Sequence, residues 1–186
     1  MTHRRAVLLV VVGLCGAASV VTAQEKAIQI GTKTSSGGYA VTTEVVVAVD
    51  DGAKATAAFG KAIENLTNMA TAEGFTLLGP ARIAMKSMGP GADGKLPTAL
   101  ELPIIDQPSD EDLKAQYGFG IVKLEEQKVA YTYHKGALDQ LQMTMFGLLT
   151  WIGQQQLQIA GMPSITIYPD AKAAEPQVAE VQVPVK

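Results

Sequence analysis

The chain has 186 residues and a mass of 19.5 kDa, which suits one ordinary domain or two small ones and excludes a large multidomain enzyme. Hydrophobic residues make up 47% and charged residues 18%, so a packed core is feasible and wholesale disorder is not expected. The formal net charge of −3 argues against a surface that neutralises many phosphates, and nucleic acid is not an expected partner.

Residues 1–23 have the three parts of a secretory signal. Arg4 and Arg5 make a positive start, an apolar stretch follows through Leu14, and Val21, Thr22 and Ala23 offer small residues for cleavage before Gln24. The alternative is a retained anchor, because residues 6–23 carry no charge and approach the shortest bilayer-spanning length of about 17 residues. Cleavage is expected, giving a periplasmic or secreted protein with no stable membrane insertion. It would leave 163 of the 186 residues and remove two of the 15 basic residues against 18 acidic ones, for a net charge of −5. It would also remove Cys15, the single cysteine. Disulfides, thiol catalysis and zinc-thiolate sites are then excluded, and stability must come from the core.

Residues 24–38 read as a flexible lead-in ending in Ser35, Ser36, Gly37 and Gly38, although 27–30 could add a short strand. The Val- and Thr-rich residues 41–49 predict a strand. Phe59, Ala62, Ile63, Leu66, Met69 and Ala70 fall at helical spacing until Gly74 stops the helix. Residues 75–78, 81–87 and 98–105 read as strands, separated by Gly79-Pro80 and by the glycine-rich 89–94. That last stretch lacks the lysine and strand-to-helix context of a phosphate loop and reads as a hairpin connection. Asp110, Glu111 and Asp112 belong to a solvated linker.

The second half repeats this order. Strands are predicted at 119–124 and 129–133, and a turn at His134, Lys135 and Gly136. Leu138, Leu141, Met145, Leu148, Leu149 and Ile152 mark a helix. Residues 157–160, 164–168 and 178–185 follow as strands. Three anchors align the halves: Gly52 with Gly136, the 75–80 stretch with 157–163, and 99–103 with 179–184, the last setting Glu101 against Glu180. The expected fold is α+β: two βαββ units forming one antiparallel sheet with two helices on one face and a central cleft between the repeats. The boundaries are a signal at 1–23, a lead-in at 24–38, repeat one at 39–106, a linker at 107–116 and repeat two at 117–186.

The strand running into His134-Lys135-Gly136, the helix carrying Leu148 and Trp151, Gly161 with Pro163, the strand closing at Tyr168 and the late 180–184 segment together resemble the GyrI-like family. These are the effector-binding domains attached to many bacterial transcription activators and also found alone. The resemblance implies the duplicated βαββ fold and an aromatic-lined groove for small, often cationic or amphipathic molecules. Some members are similar to hydrolases of strained small molecules. It also implies an acidic residue two positions before the closing tyrosine; here Thr166 stands there and carries no charge. No helix-turn-helix pattern precedes the domain, so DNA reading is not expected.

The candidate ligand-binding residues are Tyr131, Tyr133, Trp151, Thr166, Tyr168, Glu101 and Phe119. Tyr131 and Tyr133 share a strand parity and so point to one sheet face, where rings can stack on a flat ligand. Each ring could equally be plain packing. Glu101 and Glu180 could form a symmetric carboxylate pair, but alternation suits an outer, merely solubilising face better. Six methionines, Met85, Met88, Met143, Met145 and Met162 among them, could line an adaptable groove or fill core. His134 is expected to be a solvated turn residue, and no metal or cofactor is expected. The reading that follows is noncatalytic binding of a small hydrophobic or amphipathic molecule. The alternatives are a small-molecule hydrolase using Glu101 or Glu180 with a tyrosine, and haem binding.

Overall fold

The computed structural model describes residues 29–48, 52–135, 140–168 and 178–186. The expected signal and the Gly52–Gly136 anchor's second member lie outside the described residues. Among the described residues no helix is long and apolar enough to cross a membrane.

The elements in chain order are β1 (Gly31–Ser35), β2 (Gly38–Ala48), α1 (Gly52–Ala72), β3 (Ala81–Met85), β4 (Lys95–Ile104), a single 3₁₀ turn (Asp112–Lys114), β5 (Gly120–Leu124), β6 (Gln127–Lys135), α2 (Leu141–Gln154), β7 (Ser164–Tyr168) and β8 (Val178–Pro184). All eight strands join one antiparallel sheet in the order β1-β6-β8-β7-β3-β4-β2-β5. The fold is α+β, as the sequence pattern predicts.

Each repeat contributes strand, strand, helix, strand, strand, but its first strand goes to the other repeat. β1 pairs with β6, and β5 pairs with β2. Two corrections follow from this exchange. Residues 31–35 are an edge strand and not a loose lead-in, because β6 offers them a complete ladder from Gly31↔Tyr131 to Ser35↔Gln127. Residues 75–78 and 157–160 form only isolated bridges, Leu77↔Ile104 and Ile159↔Val185.

Both helices cover the same sheet face. Leu66 and Ala70 of α1 sit in a cluster with Val41, Val45, Ile83, Leu100 and Leu102. Leu148 and Ile152 of α2 pack on Ala130, Val181 and Val183. The apolar stripes at three- and four-residue spacing are what seat the helices there.

Hydrogen bonds around each helix end align the repeats. Phe75 N–H donates to the Ala70 carbonyl and Leu157 N–H to that of Ile152; Leu78 N–H donates to Pro103 and Ala160 N–H to Pro184. Pro103 is therefore the counterpart of Pro184, and with the strand registers Glu101 is the counterpart of Gln182, not of Glu180. At the residue before Phe75, Gly74 has φ +88, whereas Gln156 takes the matching left-handed position just after α2 at φ 55. A side chain there is strained, since left-handed backbone costs a non-glycine residue about 1 kcal/mol. Gln156→Gly should stabilise the protein by about 0.5–1 kcal/mol in urea unfolding; an unchanged or lowered midpoint would contradict this account of the helix end.

Candidate functional site

The sheet face turned away from the helices carries the chemistry. Directly paired residues of an antiparallel ladder point to the same side. The registers set Thr42, Glu101, Arg82, Thr166, Glu180 and Tyr133 side by side in one row through β2, β4, β3, β7, β8 and β6. The row crosses the seam between the repeats at Arg82↔Thr166. Glu101 and Glu180 share the outer face, as alternation allows, but they are not solubilising: they are 9% and 1% exposed.

In the second repeat Glu180 is a hub. Lys33 of the exchanged strand β1 forms an ion pair with its carboxylate. Gln182 Nε2 donates to Oε1 at 2.7 Å and Tyr168 O–H to Oε2 at 3.0 Å. Burial raises the Glu180 pKa, but these donors and the Lys33 charge outweigh it and hold the carboxyl below its ordinary value. Burial, and after it the same carboxylate, pushes the Tyr168 phenol up to about 12 and raises that of Tyr133. Tyr131 and Tyr133 meet edge to face at 5.8 Å, and the Lys33 ammonium lies 4.9 Å from the Tyr131 ring centre. The structure thus brings Tyr131, Tyr133, Thr166 and Tyr168 together on one face.

The first repeat holds the corresponding positions differently. Thr42 matches Tyr131, Glu44 matches Tyr133, Lys86 matches Tyr168, Ala99 matches Glu180 and Val122 matches Lys33. Smaller or outward-reaching side chains leave a hollow of about 530 Å³, lined among others by Thr42, Glu44, Lys86, Ala99, Glu101 and Val122. It lies over β2 to β5, to one side of the seam instead of on it, because the β3–β7 ladder closes the seam with backbone. Phe119 and Gly120 form its edge-strand side. A Cβ at Gly120 would come within 3.2 Å of Thr42 Cγ2, and one at Gly31 within 3.3 Å of the Tyr131 ring, so in both exchanged strands the glycine lets the neighbouring side chain lie close at the same point.

Glu101 lies 3.5 Å from Arg82 Nη1. That contact is too long to be a hydrogen bond, and Glu101 Oε2 and Arg82 Nε are both buried without a hydrogen-bond partner. Burial pushes the Glu101 carboxyl up, and the Arg82 charge only partly opposes this.

Three further residues are placed by the structure, the last of them against expectation. Trp151 belongs to the helix side, packed on the α2 cluster around Leu148 and Val181, since its place on the helix turns it toward the sheet's other face. Phe119 touches the hollow but is chiefly an aromatic-cluster residue, stacked on Tyr117 at 5.2 Å and edge-on to Phe75 at 6.0 Å. His134 lies in β6, not in a turn; it is 4% exposed and its Nδ1 is 2.8 Å from Thr144 Oγ1 of α2. It faces the helices, so the haem reading has no histidine on the open face among the described residues. Sequence reasoning missed Lys33 and Arg82. Arg82 is the single arginine after Arg5, a signal that could have marked it; Lys33 had none, because its partner lies in the other repeat.

No family model matches the chain, and no curated protein sequence matches it. Solved structures do. The crystal structure of the EcmrR C-terminal domain is similar with a TM-score of 0.70 at 14% identity, over 86% of this chain and 98% of that one. The structure of SAV2435 bound to tetraphenylphosphonium has a TM-score of 0.53 at 16% identity, over 85% and 94%. A hydrolase from Listeria innocua has a TM-score of 0.59 at 13% identity, over 91% and 98%. At these identities the likeness concerns the fold alone, which is that of the GyrI-like neighbours.

The Glu180 hub gives a pH test. Its carboxyl is held below the ordinary value of 4.5, so its contribution is present above that pH and is lost as pH falls through the lowered folded value. Glu180→Gln should cost about 1–3 kcal/mol at pH 7 and lose less stability than the parent on acidification below pH 4.5. Parallel acid limbs in the two proteins would refute the hub.

Proposed function

We propose that this protein binds a small hydrophobic or amphipathic organic molecule, without transforming it, in the hollow on the helix-free face of its sheet. The observation that carries this reading is the inequality of the repeats. The positions that Tyr131, Tyr133, Tyr168 and Lys33 occupy in one repeat are held by Thr42, Glu44, Lys86 and Val122 in the other. A hollow of about 530 Å³ falls in the size range of small-molecule sites. Support comes from SAV2435, which has the same fold and was solved with tetraphenylphosphonium. Residues 1–23 are read as a cleaved export signal, on the charge and hydropathy pattern of the sequence, which would place the binding outside the cytoplasm.

A probe present at about 100 times its Kd should stabilise the protein by about 2.7 kcal/mol. Val122→Trp, which fills the hollow, should abolish that stabilisation, whereas Tyr168→Phe, in the repeat already filled, should retain it. If no apolar or amphipathic dye in a broad panel raises Tm, the binding role is wrong. The mass of protein recovered outside the cytoplasm should correspond to a chain starting at Gln24; recovery of the full-length chain alone would overturn the signal reading.

A second reading rests on Glu101, whose burial-raised carboxyl suits general acid–base work on a bound ester. Turnover of p-nitrophenyl acetate that Glu101→Gln eliminates would favour it over simple binding.

A further inference from the structure

The charges around the hollow are balanced one for one. Glu44 is ion-paired with Lys86, and both line the hollow. Glu101, the buried carboxylate of the hollow, has Arg82 beside it on the neighbouring strand. Across the seam Glu180 is matched by Lys33. Among the described residues, the carboxylates of this face that stand in or beside the hollow's row therefore each have a cation in contact. A bound cation would have to draw Arg82 from the buried Glu101 carboxylate, which is unfavourable in a partly desolvated site, or take only the exposed Glu44, whose pair with Lys86 is worth little in solvent.

The Arg82–Glu101 pair also leaves two buried polar atoms without hydrogen-bond partners: an acceptor, Glu101 Oε2, and a donor, Arg82 Nε. A buried orphan of either kind costs free energy that a ligand can recover. Glu101 lines the hollow whereas Arg82 stands behind it, so the need that a ligand in the hollow can meet is that of the Glu101 carboxylate, through an uncharged N–H donor.

Resting on the binding role above, we propose that the hollow selects uncharged molecules bearing an amide N–H, which donates to Glu101, and that it discriminates against lipophilic cations. The apolar remainder of such a molecule lies against Val122, Ala99 and the Phe119 edge. Arg82 is then the residue that determines specificity, since it cancels the one buried carboxylate of the hollow.

The test uses the full chain labelled with ¹⁵N and two probes, benzanilide as the neutral amide and tetraphenylphosphonium as the cation. Arginine Nε–H signals are few, arising from Arg4, Arg5 and Arg82, and Arg82→Lys assigns the third. Benzanilide should shift the Arg82 Nε–H signal, with tetraphenylphosphonium binding at least about tenfold more weakly. Arg82→Gln should reverse the order by leaving Glu101 uncompensated, raising tetraphenylphosphonium affinity about tenfold or more. Arg82→Lys, which keeps the charge, should still reject the cation. A gain of affinity in Arg82→Gln cannot come from a protein that fails to fold. Tetraphenylphosphonium binding the parent as tightly as benzanilide, or no gain in Arg82→Gln, overturns the neutral-ligand inference and leaves the binding role standing. Neither probe perturbing any residue of the open face overturns the neutral-ligand inference as well, and the binding role then falls only if the broad dye panel also fails.

Discussion

The ladder between β3 and β7 joins the two repeats into one sheet, and the position of every group on the open face depends on its register. Ala81↔Ile167 through Ala84↔Ser164 pair directly, which puts Arg82 opposite Thr166 and carries the row outward to Glu101 on one side and Glu180 on the other. Side chains alternate along a strand, so a slip of one residue would turn that row toward the helices and bring apolar residues such as Ile83 and Ile165 out to the open face. The hydrophobic face under α1 and α2 forbids that slip. Core packing on one side of the sheet therefore fixes the polar chemistry on the other.

The exchange of first strands ties the halves together a second time. A repeat separated from its partner would lose an edge strand and expose the ladder groups of β2 or β6, an unfavourable state for backbone donors and acceptors. It also brings Lys33 from the start of the first repeat to the carboxylate of Glu180 near the end of the second. The ionic hub of the second repeat thus exists only when the whole chain is folded.

On this doubled frame the two outer faces have diverged. The close approach at Gly31 and Gly120 is common to both, because each lies against the side chain at the same ladder position. The second repeat fills its positions with tyrosines and satisfies its buried carboxylate from within, through Lys33, Gln182 and Tyr168. The first repeat leaves space and leaves Glu101 and Arg82 incompletely satisfied. Burying polar groups without partners is unfavourable unless something supplies the missing bonds, and this difference is what distinguishes the hollow from the tyrosine cluster.

Local pattern alone was enough for the helices, the strand at residues 164–168, the duplication and the shared face of Tyr131 and Tyr133, because helical and strand periodicities are properties of near neighbours along the chain. The resemblance of the second half to GyrI-like domains led to the right fold. Glu101 was legible as a member of the outer face and Trp151 as a helix residue, whereas Thr166 entered only through the resemblance, and composition does not say which way a helix turns its indole. The partnership of β1 with β6, the burial of Glu180 and His134, the pairing of Arg82 with Glu101 and the location of the hollow were decided only by the tertiary structure. Each depends on which distant strands become neighbours and in what register, and that is set by the mutual burial of two apolar faces, to which no single stretch of sequence has access.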